Sequence, residues 1–113
     1  MTNSQREKGK RVERQAAAEW RRILGSDARR SVQYCGAEGH GDITVCDGVH
    51  VEVKGRKGIA ALRWMEQASA DARPGEVPIC LMREDRGEFH LVVRFDDLPR
   101  LMEKLRDNTN SEV

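Results

Sequence analysis

Acidic and basic residues recur along the stretch from Gly39 to Lys54, which reads GHGDITVCDGVHVEVK. Asp42 stands at the start of one predicted strand, and Glu52 and Lys54 stand near the end of the next. Carboxylates that converge on one place suit a hard divalent cation such as Mg²⁺, which prefers oxygen ligands. A nearby ammonium group can orient a water molecule and neutralise charge that develops on a phosphate. These residue types therefore indicate a metal site with a basic group beside it.

The register of the hairpin decides whether these groups meet. The Asp-Gly pair at 47–48 is a strong turn signal between two alternating segments. A two-residue loop would pair Asp42 with Val53 and would mix carboxylates with valines on both faces. A three-residue loop, 46–48, with its glycine left-handed, pairs Asp42 with Glu52 instead. Because burial of one face fixes the register of a strand, we predict the three-residue loop.

This register divides the hairpin into two faces. The apolar face carries Ile43, Val45, Val49, Val51 and Val53. The polar face carries Asp42, Thr44, His50, Glu52 and Lys54. The alternative to a metal site is an exposed polar face with ordinary salt-bridged charges. His40 and His50 flank the site, and we expect them to be spectators.

Hydrophobic periodicity and turn signals predict the remaining elements. They are a helix over 4–24 that ends at Gly25, a strand over 30–35, a glycine-rich loop over 35–41, a helix over 59–72, strands over 77–82 and 88–94, and a helix from Asp96 to about Arg106. The order of helix, three strands, helix, two strands and helix predicts a mixed sheet flanked by helices, in the α/β (α+β-like) class. We expect one domain over 1–113, with a disordered tail over 107–113.

The predicted helices each have an apolar stripe. The first stripe comprises Gly9, Val12, Ala16, Trp20, Ile23 and Leu24; the second comprises Ala61, Leu62, Met65, Ala68 and Ala72. Glu13 lies beside the first stripe, and it becomes a third carboxylate if that helix packs against the polar end of the hairpin. The alternative is a solvated acid paired with Lys10 or Arg14. Pro78 indicates an edge or first-residue position for its strand.

Composition restricts the class of protein. The 113 residues have a net charge of +1 with 35% charged residues, so attraction for phosphate must come from local clusters. No apolar run approaches the roughly 20 residues of a membrane span, and the polar start is not a signal peptide. Three widely spaced cysteines argue against a disulfide framework. We expect reduced thiols and a cytoplasmic setting.

The residues resemble the PD-(D/E)XK nucleases, and most closely the archaeal-type Holliday junction resolvases. The similarity covers roughly residues 9–94. Its motifs are Gly9-x-x-x-Glu13-Arg14, Gly41-Asp42-Ile43, Val51-Glu52-Val53-Lys54 followed by Arg56, and Gln67 in the next helix. The chain departs from the motif at Gly41, where the family name has proline.

The resemblance implies a restriction-endonuclease-like αβββαβ core with an extra C-terminal strand and helix. It implies a bound Mg²⁺ or Mn²⁺ ion, whose ligands would be Glu13, Asp42, Glu52 and the Val53 carbonyl. Lys54 would act on the attacking water, and Gln67 would support the site or a phosphate. The DNA-binding residues expected around the site are Lys10, Arg14, Arg30, Arg56, Lys57 and Arg63.

The substrate implied by the resemblance is branched DNA, most specifically a four-way junction cut by a homodimer during recombination, repair or phage DNA processing. The setting would be a prokaryotic cytoplasm, or the host cytoplasm for a phage protein. One alternative is another nuclease of the same fold, which cuts flaps, ends or particular sequences. A second is a DNA-binding module without catalysis. The low aromatic content argues against single-stranded DNA, which needs stacking surfaces.

Overall fold

The computed structural model describes residues 3–31 and 41–110. Its helices are α1 (Asn3–Leu24), α2 (Ala61–Asp71) and α3 (Leu98–Asn110). Its strands are β1 (Arg29–Arg30), β2 (Ile43–Thr44), β3 (Val49–Arg56), β4 (Val77–Glu84) and β5 (His90–Val93). In the described ranges the strands form one sheet in the order β1-β2-β3-β4-β5, with β3 and β4 parallel and the other pairs antiparallel. The predicted mixed sheet flanked by helices is confirmed.

The sheet is covered on both sides by helices. Val51 of β3 and Ile79 of β4 lie on one face and pack in a core that includes Val12 of α1 and Leu101 of α3. On the opposite face, Cys80 of β4 packs against Trp64 and Met65 of α2 and Met82. Successive side chains of a strand point to opposite faces, so α1 and α3 cover one side and α2 the other. No described helix is long and apolar enough to span a membrane.

The hairpin has the predicted register. Ile43 lies opposite Val51, and Gly48 in the connecting loop has a φ of +84°, the left-handed conformation that glycine adopts without strain. The five residues predicted for the apolar face are all buried. The polar face is not an exposed surface, because its residues His50 and Glu52 are buried and the others are half-buried.

The apolar stripes of α1 and α2 differ from the predicted ones. Val12, Ala16 and Trp20 of α1 are buried as expected, but Ile23 is 65% exposed and Leu24 is half exposed. Within the described residues, β1 and β2 are each only two residues long. Leu62 of α2 is 81% exposed and Trp64 is buried instead, so the helix is rotated relative to the predicted packing face.

Several strand and helix boundaries also differ from the predictions. The first strand is Arg29–Arg30; Ser31 follows it outside the strand, and residues 32–35 of the predicted range lie outside the described residues. Pro78 lies in an interior strand rather than at an edge, although it precedes the first residue paired with β5, Ile79. Asp96 does not cap the last helix, because a 3-10 turn (Phe95–Asp97) comes first. That helix extends to Asn110, into the predicted tail.

Candidate active site

Two hydrogen bonds hold Asp42 against β3. Its backbone N–H donates to the Val51 carbonyl at 2.8 Å, and its carboxylate Oδ2 accepts a hydrogen bond from the Val53 N–H at 2.8 Å. The second bond fixes the side chain as well as the backbone. Gly41 precedes it with a φ of +94° and lies directly against the Val51 backbone. The chain therefore approaches β3 at a position where a side chain has no room.

The Asp42 and Glu52 side chains lie close enough to interact directly. This contact is what the predicted register requires, because it places the two residues on one face of neighbouring strands. Glu52 is only 5% exposed. Two carboxylates in contact repel each other when both are ionised, unless a proton or a cation lies between them. The pair thus favours a bound cation.

His50, which we expected to be a spectator, contacts Glu52. It is 3% exposed, and its Nε2 lies 3.0 Å from Glu52 Oε1. An ionised carboxylate has no proton to donate, so the imidazole N–H is the donor. His50 Nδ1 lies 3.8 Å from Glu76 Oε1, just before β4. Alternation along the strand places His50 and Glu52 on one face, but it does not indicate that this face is buried.

The ionisation of Glu52 reflects these neighbours. Burial alone would raise the pKa of its carboxyl. The hydrogen bond and the charge of His50 act in the opposite direction, as do the interaction with Asp42 and the charge of Lys54. The result is a Glu52 pKa below its ordinary value. The structure therefore keeps an anionic group at a nearly buried position.

Glu13 reaches the same region from α1. Its Oε1 lies 2.9 Å from Arg30 Nε of β1, so its ion pair is with Arg30 rather than with Lys10 or Arg14. Burial raises the pKa of Glu13 and the nearby Glu52 charge adds to this effect, although the Arg30 hydrogen bond and charge oppose both. Arg30, expected to bind DNA, thus neutralises an acid of the site.

One cavity of about 590 Å³ unites the site residues that the sequence predicted. Its lining includes Glu13, Asp42, Glu52, Val53, Lys54 and Gln67. Five basic residues also line it: Arg6, Lys8, Lys10, Arg30 and Arg56. Arg14, Lys57 and Arg63 are exposed and do not line this cavity. An acidic centre with a basic rim suits a divalent cation and a phosphate together.

The donor atoms of the cavity determine what cation it can hold. Mg²⁺ in proteins is commonly held by one or two carboxylates, together with waters and substrate phosphates. Asp42 and Glu52 supply two carboxylates, so they fit that ion. Across residues 3–31 and 41–110, no group of three or more His, Cys, Asp or Glu side chains is arranged to hold a metal ion. Glu13, the predicted third ligand, is held by Arg30 in this structure.

Cys80 lies beside Glu52 on the neighbouring strand, where the two residues are paired in register. Burial and the negative charges of Glu52 and Asp42 raise its thiol pKa to about 12, although Lys54 opposes them. The thiolate is the form that attacks electrophiles and binds metals. Cys80 is therefore a packing residue rather than a nucleophile or ligand.

Replacing His50 by leucine should destabilise the fold by about 3 kcal/mol at neutral pH, because a buried carboxylate is left without its hydrogen-bond donor. His50→Gln should lose less stability, since its amide can still donate to Glu52.

The pKa of Glu52 is lower in the folded protein than in the unfolded chain, where it is about 4.3, so the ionised carboxylate stabilises the fold at any pH above that value. This contribution is lost as the pH falls through the pKa of the folded state. The difference between wild type and His50→Leu should therefore shrink below about pH 4.

Urea unfolding in EDTA between pH 3 and 7 measures this effect. A stability of His50→Leu equal to that of His50→Gln throughout would contradict a hydrogen-bonding role for the imidazole.

A protein-family model matches the chain. The family described as phage putative PDDEXK endonuclease matches residues 4–113, nearly the whole chain. The matched range includes every residue of the cavity described above. Comparisons with curated proteins and with solved structures found no match.

Proposed function

Because the chain belongs to the phage putative PDDEXK endonuclease family, we propose that it is a metal-dependent endonuclease that hydrolyses phosphodiester bonds in branched duplex DNA. The substrate proposed is a four-way Holliday junction, and the cofactor is Mg²⁺, for which Mn²⁺ can substitute. A phage-encoded enzyme of this kind would act in the host cytoplasm.

The observation that carries the proposal is the single cavity in which Asp42, Glu52 and Lys54 meet. These residues come from β3 and from the segment that enters β2. The carboxylate pair supports a role in holding the cation, with Glu13 and the Val53 carbonyl as further ligands. Basic side chains around the opening support a phosphate-bearing substrate, because they attract a polyanion to an otherwise acidic centre.

Each residue then has a role in hydrolysis. A divalent cation bound at the carboxylates would supply positive charge to the phosphate and acidify a water molecule. The Lys54 ammonium, close enough to lower the pKa of Glu52, would orient that water for in-line attack on phosphorus. The water oxygen would form a bond to phosphorus as the bond to the leaving deoxyribose oxygen breaks, with a proton of the water released to solvent and a solvent proton taken up by the leaving oxygen. Gln67, at the exposed rim, would hold a phosphate oxygen.

Duplex rather than single-stranded DNA fits the surface. Both tryptophans, Trp20 and Trp64, are buried in the core and are unable to stack on bases. Basic residues on helix and strand ends are suited to contacts with a duplex backbone, which do not depend on sequence. Symmetric cutting of a four-way junction needs two active sites, so the proposal includes a two-fold homodimer.

The test compares substrates of equal sequence. A labelled four-way junction, flap, linear duplex and single strand are each incubated with protein and Mg²⁺, Mn²⁺ or EDTA. The proposal expects paired, symmetric nicks in the junction alone, only with metal, by a protein that sediments as a dimer. Equal cutting of linear duplex would indicate instead a nuclease of the same fold with a broader substrate range.

The alternative of another class is a DNA-binding module that does not cut. The ion pair between Glu13 and Arg30 favours it, because it occupies one predicted metal ligand. Tight, metal-independent DNA binding without cleavage of any of the four substrates would support that alternative.

A further inference from the structure

A second groove, of about 480 Å³, lies on the adjoining face of α1. We call it the arginine groove; its polar lining comprises Lys8, Arg11, Gln15, Arg83, Asp85 and Arg86. Lys8, Arg11 and Gln15 follow one another at three- and four-residue intervals, so they form one stripe of the helix. Arg83 is the last but one residue of β4, and the other two residues belong to the turn that leads to β5.

The charge of the arginine groove is strongly positive. Its one acid, Asp85, is neutralised by Lys8, whose Nζ lies 2.8 Å from Oδ1. Arg11 and Arg86 are exposed, and neither forms an ion pair with a residue in the described ranges. The other acids of the turn, Glu84 and Glu88, do not line the groove. Three guanidinium groups are therefore left to attract an anion.

Two contacts fix the orientation of the Arg83 side chain in this groove. Its guanidinium donates a hydrogen bond to Gln15 Oε1 and lies over the Phe89 ring at 4.7 Å from the centroid. These contacts reduce the side-chain entropy that binding would otherwise cost. The Arg83 Nε is buried and its Nη2 donates to Gln15, so the fixed guanidinium can offer its other N–H groups to a phosphate oxygen.

The backbone at Arg86 is strained. Arg86 has a φ of +64°, in a turn closed by a hydrogen bond from the Gly87 N–H to the Glu84 carbonyl at 2.7 Å. A left-handed conformation costs a residue with a side chain about 1–2 kcal/mol, and glycine or asparagine would tolerate it better. Strained residues often mark functional sites, and here the strain presents an arginine at the tip of a turn.

The arginine groove is continuous with the candidate active site. Because β3 and β4 are parallel, their carboxyl ends lie at one edge of the sheet. At that edge the Asp85 N–H donates to the Arg56 carbonyl at 2.9 Å, and Lys8 lines both the groove and the cavity. A duplex with one phosphate in the cavity would meet the groove as its backbone continues.

We propose that Arg11, Arg83 and Arg86 bind backbone phosphates of the DNA duplex beside the scissile bond, so that recognition extends across α1 to the turn between β4 and β5. This inference rests on the proposed function, because it assumes a duplex in the cavity. The contacts would be independent of sequence, since they are made to phosphates and the groove offers no exposed aromatic ring for stacking on bases.

The test uses three variants that each remove one positive charge. Arg11→Ala keeps a good helix former, and Arg86→Asn keeps a residue that tolerates the left-handed backbone. Arg106→Ala is the control, because Arg106 is exposed on α3 and is not part of the groove. Binding of a labelled duplex is measured in EDTA by fluorescence anisotropy across a salt series, and cleavage is measured at saturating DNA with Mg²⁺.

Loss of one phosphate contact should make the slope of log affinity against log salt shallower by about 0.9. We expect that change for Arg11→Ala and for Arg86→Asn, together with a several-fold loss of affinity for the duplex. Arg106→Ala should keep the wild-type slope. Wild-type slopes for both groove variants would overturn the inference and leave the proposed function standing. A wild-type protein that neither binds nor cuts any DNA would overturn both.

Discussion

Asp42→Asn should reduce the rate of DNA cleavage by at least about 10³-fold, since it would remove a charged ligand of the proposed cation, and the loss of a group that only supports a metal ligand already costs about 10–100-fold. The fold should be preserved. The asparagine carbonyl oxygen can still accept the hydrogen bond from the Val53 N–H, and its amide can donate to Glu52. The contact between two carboxylates becomes an ordinary hydrogen bond, so the melting temperature in EDTA should equal or exceed that of the wild type.

Asp47→Asn is the matched control, because Asp47 is an exposed acid in the loop of the same hairpin. It should leave the cleavage rate and the melting temperature unchanged. Single-turnover cleavage of a labelled junction gives the rate, and anisotropy in EDTA gives DNA binding, which Asp42→Asn should retain. A cleavage rate for Asp42→Asn within tenfold of the wild type would show that the site is wrongly assigned.

Gly41→Ala should lower the free energy of unfolding by about 3 kcal/mol or more, because it combines backbone strain with a steric clash. A β-carbon at Gly41 would lie 2.8 Å from the Val51 carbonyl carbon and nearer still to its oxygen. That oxygen accepts the Asp42 N–H, so relief of the clash would also displace Asp42 from β3. Cleavage should therefore fall together with stability.

Gly58→Ala is the control for the Gly41 substitution. Gly58 is exposed, lacks the left-handed φ, and has no atom within 4 Å of the position that a β-carbon would occupy. Its substitution should change stability by less than about 1 kcal/mol. Urea unfolding in EDTA compares the two variants directly, and equal midpoints would refute the close approach at Gly41.

The same geometry explains how the chain departs from the motif that it resembles. Proline has a fixed φ near −65°, which is incompatible with the φ of +94° at Gly41. In this chain, glycine at that position allows the backbone to reach Val51 and to present Asp42 towards Val53. The loss of the proline thus has a local structural reason.

The sequence alone determined the centre of the fold. Side chains alternate along a strand, so only one register of the hairpin could bury the valines together and bring Asp42 beside Glu52. The order of elements then predicted the mixed sheet, and Gly25 correctly marked the end of α1, where it has a φ of +66°. These features depend on residues near one another in the chain, and periodicity reports such residues directly.

Tertiary structure decided which partners the polar side chains have. It paired Glu13 with Arg30 and enclosed His50 between Glu52 and Glu76. It also left Leu62 in solvent, because the rotation of α2 depends on how its aromatic and sulfur-containing side chains pack on β4. Burial is set by elements that are distant in sequence and cover a face together. Local alternation defines a face, but it does not determine what will cover it.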